Sequence, residues 1–246
     1  MSAPTPASAA AKPAAAGAGA SKDKDSDDEE EVEQLQYKVV ILGDGAVGKT
    51  SLTSRFCEDY FAATYKQTIG VDWFIKRVVL PGDVHVALQI WDIGGQTIGS
   101  KMVSNYIYGA QAVILVYDIT NYQSFQDLED WLALVKKTFE NEQLPYIALC
   151  GNKIDLQHLR AVKADKHASF ADDHSLYSYF VSAKSGDHVA QAFYRVAADL
   201  AGVVLSKGDI EQKAKVVQAE IVNHQQNDPN QPKLVLKEEK QKCVVQ

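Results

Sequence analysis

The run Gly43-Asp44-Gly45-Ala46-Val47-Gly48-Lys49-Thr50 sets a glycine, then four residues, then a Gly-Lys-Thr triplet. Glycines at these positions let a backbone wrap closely around a polyphosphate with its N–H groups turned inward. Lys49 adds a full positive charge, Thr50 a hydroxyl suited to Mg²⁺, and Ser51 continues the polar rim. Such a loop works only between a strand and a helix, because the helix N-terminus supplies the partial positive charge that an anion needs. The flanks meet that requirement. Tyr37-Lys-Val-Val-Ile-Leu42 reads as a buried strand entering the loop, and Ser51-Leu-Thr-Ser-Arg-Phe56 as a helix leaving it. The chemistry expected here is binding of a nucleoside triphosphate.

Further polar stretches each follow an apolar run. Asp92-Ile93-Gly94-Gly95-Gln96 offers a carboxylate for Mg²⁺ through water, a Gly95 N–H for a γ-phosphate, and Gln96 to orient an attacking water. Asn152-Lys153-Ile154-Asp155 offers Asp155 as acceptor for guanine N1–H and the 2-amino group, with the Lys153 stem along the purine face. Adenine presents neither donor in that arrangement. A buried acceptor left unpaired costs roughly 1–3 kcal/mol, so Asp155 should reject ATP. In Ser182-Ala183-Lys184 the N–H of Ala183 can meet guanine O6, and the Lys184 stem can cover the other face. Each stretch alone is a common polar loop; their recurrence in order, each after a strand, is not.

The elements that must position these loops alternate between strand and helix, the pattern of a layered α/β fold. Val71–Leu80 and Val84–Trp91 read as a hairpin around Pro81-Gly82-Asp83, and Ala112–Asp118, Pro145–Gly151 and Tyr177–Ser182 as further strands. The first two of these are fully apolar and so central. Phe125, Leu128, Leu132 and Val135 share one helical face; Val189, Ala192, Phe193, Val196, Ala197 and Leu200 share another, and 163–173 is a weaker helix. If Thr68 reaches the metal, the strand from Val71 starts at the edge where the first strand ends. It then runs antiparallel to its neighbours. The expectation is a three-layer αβα fold of the P-loop NTPase type, whose six-stranded sheet is mostly parallel with the second strand reversed.

Composition sets the limits. The chain of 246 residues is 46% hydrophobic, carries a net charge of −7 and has three cysteines, Cys57, Cys150 and Cys243, in no disulfide or metal spacing. With no signal peptide read at its start, this suggests a reducing compartment. Residues 1–36 hold eight acids against three lysines and are otherwise rich in Ala, Pro, Gly and Ser. They are expected to be a disordered acidic extension. The remainder is near balance, without the basic face that nucleic-acid binding requires. The expected domains are the extension 1–36, a nucleotide-binding domain 37–205, and a polar tail 206–246. In the tail, Ile210, Ala214, Val217 and Ile221 keep a heptad-like spacing that fits either a short helix or a frayed linker.

Over roughly residues 37–205 these motifs resemble those of the Ras-like small GTPases. Thr68-Ile-Gly-Val-Asp72 and Trp91-Asp92 resemble the Rab branch. The resemblance implies a switch that binds GTP or GDP with Mg²⁺, hydrolyses GTP slowly, and regulates vesicle and membrane traffic. It implies phosphate and metal roles for Gly45, Ala46, Val47, Gly48, Lys49, Thr50 and Ser51. Phe61 and Tyr65 would lie near the base and ribose, with Thr68 as γ-phosphate sensor and metal ligand beside Asp92. Catalysis would rest on Gln96 and Lys49, and effector reading on Trp73, Trp91 and Tyr106. An exchange factor and a GTPase-activating protein are the implied regulators. Cys243-Val-Val-Gln246 resembles a prenylation box. That implies a prenyltransferase, a soluble prenyl-binding carrier and reversible residence on the cytoplasmic face of membranes, of endosomal or ciliary type. The departures point to a divergent member: Rabs usually carry Trp-Asp-Thr-Ala-Gly-Gln-Glu-Arg-Phe where this chain has Trp91-Asp-Ile-Gly-Gly-Gln-Thr-Ile-Gly99, and Tyr-Tyr-Arg-Gly-Ala where it has Tyr106-Ile-Tyr-Gly-Ala110.

Two other classes fit parts of the pattern. A nucleotide kinase would need a second substrate site and an arginine-lined lid, and would leave Asn152–Asp155 without a purpose. A GTP-binding scaffold without hydrolysis would leave Gln96 without one. Turnover of labelled GTP separates the three.

Overall fold

The wholly apolar runs lie at the middle of one twisted sheet, where both faces are covered. A computed structural model describes residues 34–95 and 101–214. In these, six strands take the order β2-β3-β1-β4-β5-β6: β1 Gln34–Leu42, β2 Val71–Leu80, β3 Val84–Ile93, β4 Ala112–Asp118, β5 Tyr146–Asn152 and β6 Tyr177–Phe180. Every residue of β4 is buried, as is β5 after Tyr146. β1 pairs in parallel with β3 and β4, β4 with β5, and β5 with β6; only the β2–β3 pair is antiparallel. This is the three-layer fold expected from the sequence, with the second strand reversed.

Alternation along β1 splits the core. Val39 and Ile41 face α1 (Lys49–Glu58) and α6 (Val189–Ala201), where Phe56 and Phe193 stack with centroids 4.2 Å apart. Val40 and Leu42 face the other layer. That layer holds α2 (Lys101–Ile107), α3 (Tyr122–Gln126), α4 (Leu128–Thr138) and α5 (Ala164–Asp173), packed around Trp131 and Tyr117.

Several boundaries differ from the expected ones. β1 starts three residues early, at Gln34, because it pairs with β3 from Gln34 opposite His85 and Leu35 packs on the core. β3 runs on to Ile93, still paired with Val71. β6 stops at Phe180, two residues short of Ser182, whose N–H turns to the carbonyl of Asp187. The face through Phe125 and Val135 belongs to two helices, with Asp127 as the C-cap of one and the N-cap of the next. In the tail, α7 covers Lys207–Ala214. Its entry is a reciprocal cap: the Ser206 hydroxyl and N–H donate to Asp209 Oδ2, and the Asp209 N–H donates back to Ser206 Oγ. Val217, Ile221 and the residues expected to form the acidic extension up to Glu33 lie outside the described residues.

Candidate functional site

Parallel strands deliver their C-terminal ends to one edge, where open α/β sheets hold ligands. The loop after β1 begins there under tight constraint. Gly43 has φ 138°, and a Cβ on it would sit 2.1 Å from the Val116 carbonyl oxygen of β4. No larger residue lets the loop cross the neighbouring strand. α1 then opens at Gly48 without a side-chain cap, and Gly48, Lys49 and Thr50 of this first turn line the cavity. Lys49 is 6% exposed and folds over the loop, donating from Nζ to the carbonyls of Gly43 at 2.8 Å and Asp44 at 2.6 Å. Burial pulls its pKa down to about 8, against the opposing pull of the Asp92 and Asp44 carboxylates. It stays a cation near neutrality and lines the cavity.

Beside it Thr50, Thr68 and Asp92 converge. Thr50 Oγ1 lies 2.8 Å from Thr68 Oγ1 and donates to Asp92 Oδ2, and Thr68 Oγ1 stands 3.5 Å from that same oxygen. Asp92 is fully buried, its Oδ1 has no hydrogen-bond partner, and burial pushes its pKa up to about 6, with the Thr50 contact and Lys49 working the other way. A buried carboxylate oxygen without a partner is costly unless a cation or water completes it. Hard oxygen donors of this kind fit Mg²⁺, which keeps waters and shares phosphate oxygens and needs no all-protein cage. Among the described residues no cluster of three or more His, Cys, Asp or Glu could hold a metal ion.

The other end of the site is built by the loops after β5 and β6. Asn152 is buried and joins three segments: its Nδ2 donates to the Val47 carbonyl at 2.9 Å, and its Oδ1 accepts from the Ala183 N–H at 3.1 Å. Gly48 passes so near that a Cβ would meet Asn152 Nδ2 at 2.5 Å. Lys153 Nζ reaches the Ala46 carbonyl at 2.9 Å and pairs with Asp118 at 2.6 Å, which stretches its stem across the cavity wall. Asp155 Oδ1 accepts from the Ser182 hydroxyl at 2.6 Å. These groups enclose a cavity of about 350 Å³, lined by Gly45, Ala46, Gly48, Lys49, Thr50, Ser51, Phe61, Tyr65, Thr68, Gly95, Asn152, Lys153, Asp155, Ala183 and Lys184 among others. Val47 and Ser182, both buried, support the wall from behind.

The structure gathers the described nucleotide-site residues expected from the sequence around one cavity, with Asp92 buried against Thr50 and not in the lining. Gln96 and Cys243 lie outside the described residues. Tyr65 lines the cavity, its hydroxyl 3.9 Å from where a Cβ on Gly45 would be. Trp73 and Trp91 are directly paired across β2 and β3; Trp73 is exposed, while Trp91 is half-buried 6.5 Å from Tyr106 with the Lys38 ammonium 4.4 Å over its ring. Sequence reasoning missed three supports. Asp118, which orients Lys153, was visible as the one charged residue closing an apolar strand. Trp131 Nε1 holds Asp44 Oδ1 at 3.0 Å, and Arg55 bonds to the loop after β6; neither leaves a local signal.

The loop after β1, the Thr50–Thr68–Asp92 corner and the loops after β5 and β6, on one edge of this sheet, have the arrangement of a G domain, the nucleotide-binding unit of small GTPases. The chain belongs to the Ras family, whose description matches residues 38–202, and within it to the Rab branch. It is 41% identical to Ras-related protein Rab-28 of Caenorhabditis elegans over 186 residues, covering 75% of each chain. It is 37% identical to Rab-10 of the same organism over 70% of this chain and 82% of that one. Rab-13 of Rattus norvegicus is also 37% identical, over 67% and 79% respectively. No helix among the described residues is long and apolar enough to cross a membrane.

Proposed function

We propose that this chain is a GTP-binding and GTP-hydrolysing switch that regulates membrane traffic through effectors recognising its GTP form. The observation that carries the reading is the joining of the Asp155–Ser182–Asn152–Ala183 cradle to the Thr50–Thr68–Asp92 corner through Asn152 and Val47. A guanine against Asp155 and Ala183 would lay its phosphates along Gly45–Ser51 and its γ-phosphate between Lys49, Thr68 and Gly95. Bound Mg²⁺ would neutralise developing phosphate charge, held by Thr50, by Thr68 and, through water, by Asp92. Lys49 binds and orients the phosphates, and Gln96 is proposed to orient the attacking water. Intrinsic turnover in such sites can be as low as on the order of 10⁻⁴ s⁻¹, so an activating protein and an exchange factor belong to the proposal.

Loss of the γ-phosphate releases Thr68 and Gly95 and alters the neighbouring surface of Trp73, Trp91 and Tyr106, which is the proposed effector face. The switch would comprise residues 37–205, with 1–36 as an acidic extension and 206–246 as the membrane-directed tail. A lipid on Cys243 is the corresponding proposal for that tail, and an unmodified Cys243 in intact-mass spectra from a eukaryotic host would overturn it. The central test is turnover of labelled GTP and ATP by purified protein with Mg²⁺. Slow release of phosphate from GTP alone is expected. GTP held but never turned over would favour a binding scaffold, and ATP turnover would sink the reading.

A further inference from the structure

Arg55, in the last turn of α1, is not part of the phosphate loop, the metal corner or the base cradle, yet its donors are committed. Nε donates to the Ala183 carbonyl at 3.0 Å and Nη2 to the Lys184 carbonyl at 2.9 Å, two successive acceptors of the loop after β6. Nη1 turns the other way, to the carbonyl and Oδ1 of Asp59 at 3.1 and 3.0 Å. Asp59 caps α1 in the left-handed conformation, φ 52°, and from it the chain enters Tyr60 and Phe61, the latter in the cavity wall. The guanidinium side chain is only 19% exposed, and Gly186 lies against its stem, a Cβ there falling 3.6 Å from Cδ. Ala183 is thus held twice, by Asn152 at its N–H and by Arg55 at its carbonyl.

We infer that Arg55 is a positioning residue, which sets the Ala183 N–H for a 6-oxo purine and ties that setting to the helix cap where the cavity wall begins. A planar fork can hold two adjacent carbonyls and a carboxylate together; a lysine point charge cannot. Hydrogen bonds from a charged donor are the stronger kind, and this one acts on the base through one intervening residue.

The inference rests on the guanine reading above, and the test keeps the two apart. Dissociation constants and release rates would be measured for GDP, inosine diphosphate and 6-thioguanosine diphosphate on the parent, R55A, R55K and D59A. The thio analogue keeps N1–H and the 2-amino group but replaces O6 with a weak acceptor; the inosine analogue lacks only the 2-amino group. R55A should release GDP about tenfold faster. Its preference for GDP over the thio nucleotide should fall by a similar factor, while its preference for GDP over inosine diphosphate, read by Asp155, stays within about twofold. R55K should lie between parent and R55A, and D59A should keep the parent's 6-position preference. A change of both preferences together, or of neither, overturns the inference. If R55A does not fold, R55K decides, and a parent-like 6-position preference in it overturns the inference. A parent without GDP affinity overturns the guanine reading itself and the inference with it; a parent that binds GDP, beside variants with unchanged preferences, overturns the inference alone.

Discussion

The hydroxyls of Thr50 and Thr68 stand 2.8 Å apart, tying the first turn of α1 to the segment that leads into β2. The two residues meet because β2 alone runs backwards, so that its start lies at the edge where β1 ends. Both side chains close on Asp92. Removing one hydroxyl tests what the arrangement serves. Thr68→Ala should speed release of a non-hydrolysable GTP analogue by about tenfold, because a ligand-directed oxygen is lost, and leave GDP release within about twofold. Fluorescent-nucleotide release with and without Mg²⁺ measures both; equal effects on the two nucleotides would remove Thr68 from γ-phosphate sensing.

Asp155→Asn should change the base that is accepted. Its Oδ1 is already held by the Ser182 hydroxyl, which leaves the carboxylate aligned at the cavity wall. An amide there supplies a donor where xanthine offers an acceptor. GTP affinity should fall about ten- to hundredfold, the worth of a charged hydrogen bond, and xanthosine triphosphate should gain. Competition titrations decide; comparable GTP affinity in mutant and parent would take Asp155 out of base recognition.

Gly94 is where a Rab usually carries alanine. Its N–H bonds to the Gly70 carbonyl at 2.9 Å, and a Cβ would come 2.6 Å from the Thr68 carbonyl oxygen. Backbone cannot yield as a flexible side chain would, so Gly94→Ala should push Thr68 away from Thr50 and Asp92. The variant should release the GTP analogue about as fast as Thr68→Ala, and the double variant no faster than either, since both remove one interaction. Additive rates in the double variant would show that Gly94 acts elsewhere.

His167 is a buried pH-dependent term in stability. Its ring joins the Tyr117 hydroxyl at 2.9 Å and the Ser178 hydroxyl at 2.7 Å, lies tilted against Phe180 with ring centroids 4.2 Å apart, and has the Arg160 cation nearby. Burial lowers its pKa from 6.5 to about 4, with Arg160 adding to the shift. Between these values the unfolded chain binds a proton that the folded chain refuses. The stability is therefore full above about pH 6.5 and falls as pH drops towards about 4, by of order 3 kcal/mol. Urea unfolding of parent and His167→Gln across that window should show the steeper loss in the parent. Parallel pH profiles would mean that the ring is not the responsible group.

The loop around Lys49, the polar segment Asn152–Asp155 and the strand–helix alternation were legible in the sequence, because each depends on residues within a few positions of one another. Backbone permissiveness, charge at a helix start and apolar periodicity are local properties, and even the reversal of β2 followed from asking where Thr68 had to be. The supports of the site are not local. Arg55 and Ala183 are 128 residues apart, and Trp131 and Asp44 are 87 apart. Such pairs exist only once the sheet order sets α1 beside the loop after β6, and α4 beside the loop after β1. Gly94 shows the same limit at short range: the sequence shows a residue without a side chain, which is compatible with looseness. Only the approach of the Thr68 carbonyl decides that the space is filled by another part of the backbone. Side-chain partners far apart in the chain depend on topology and packing together, and neither is written in any one stretch.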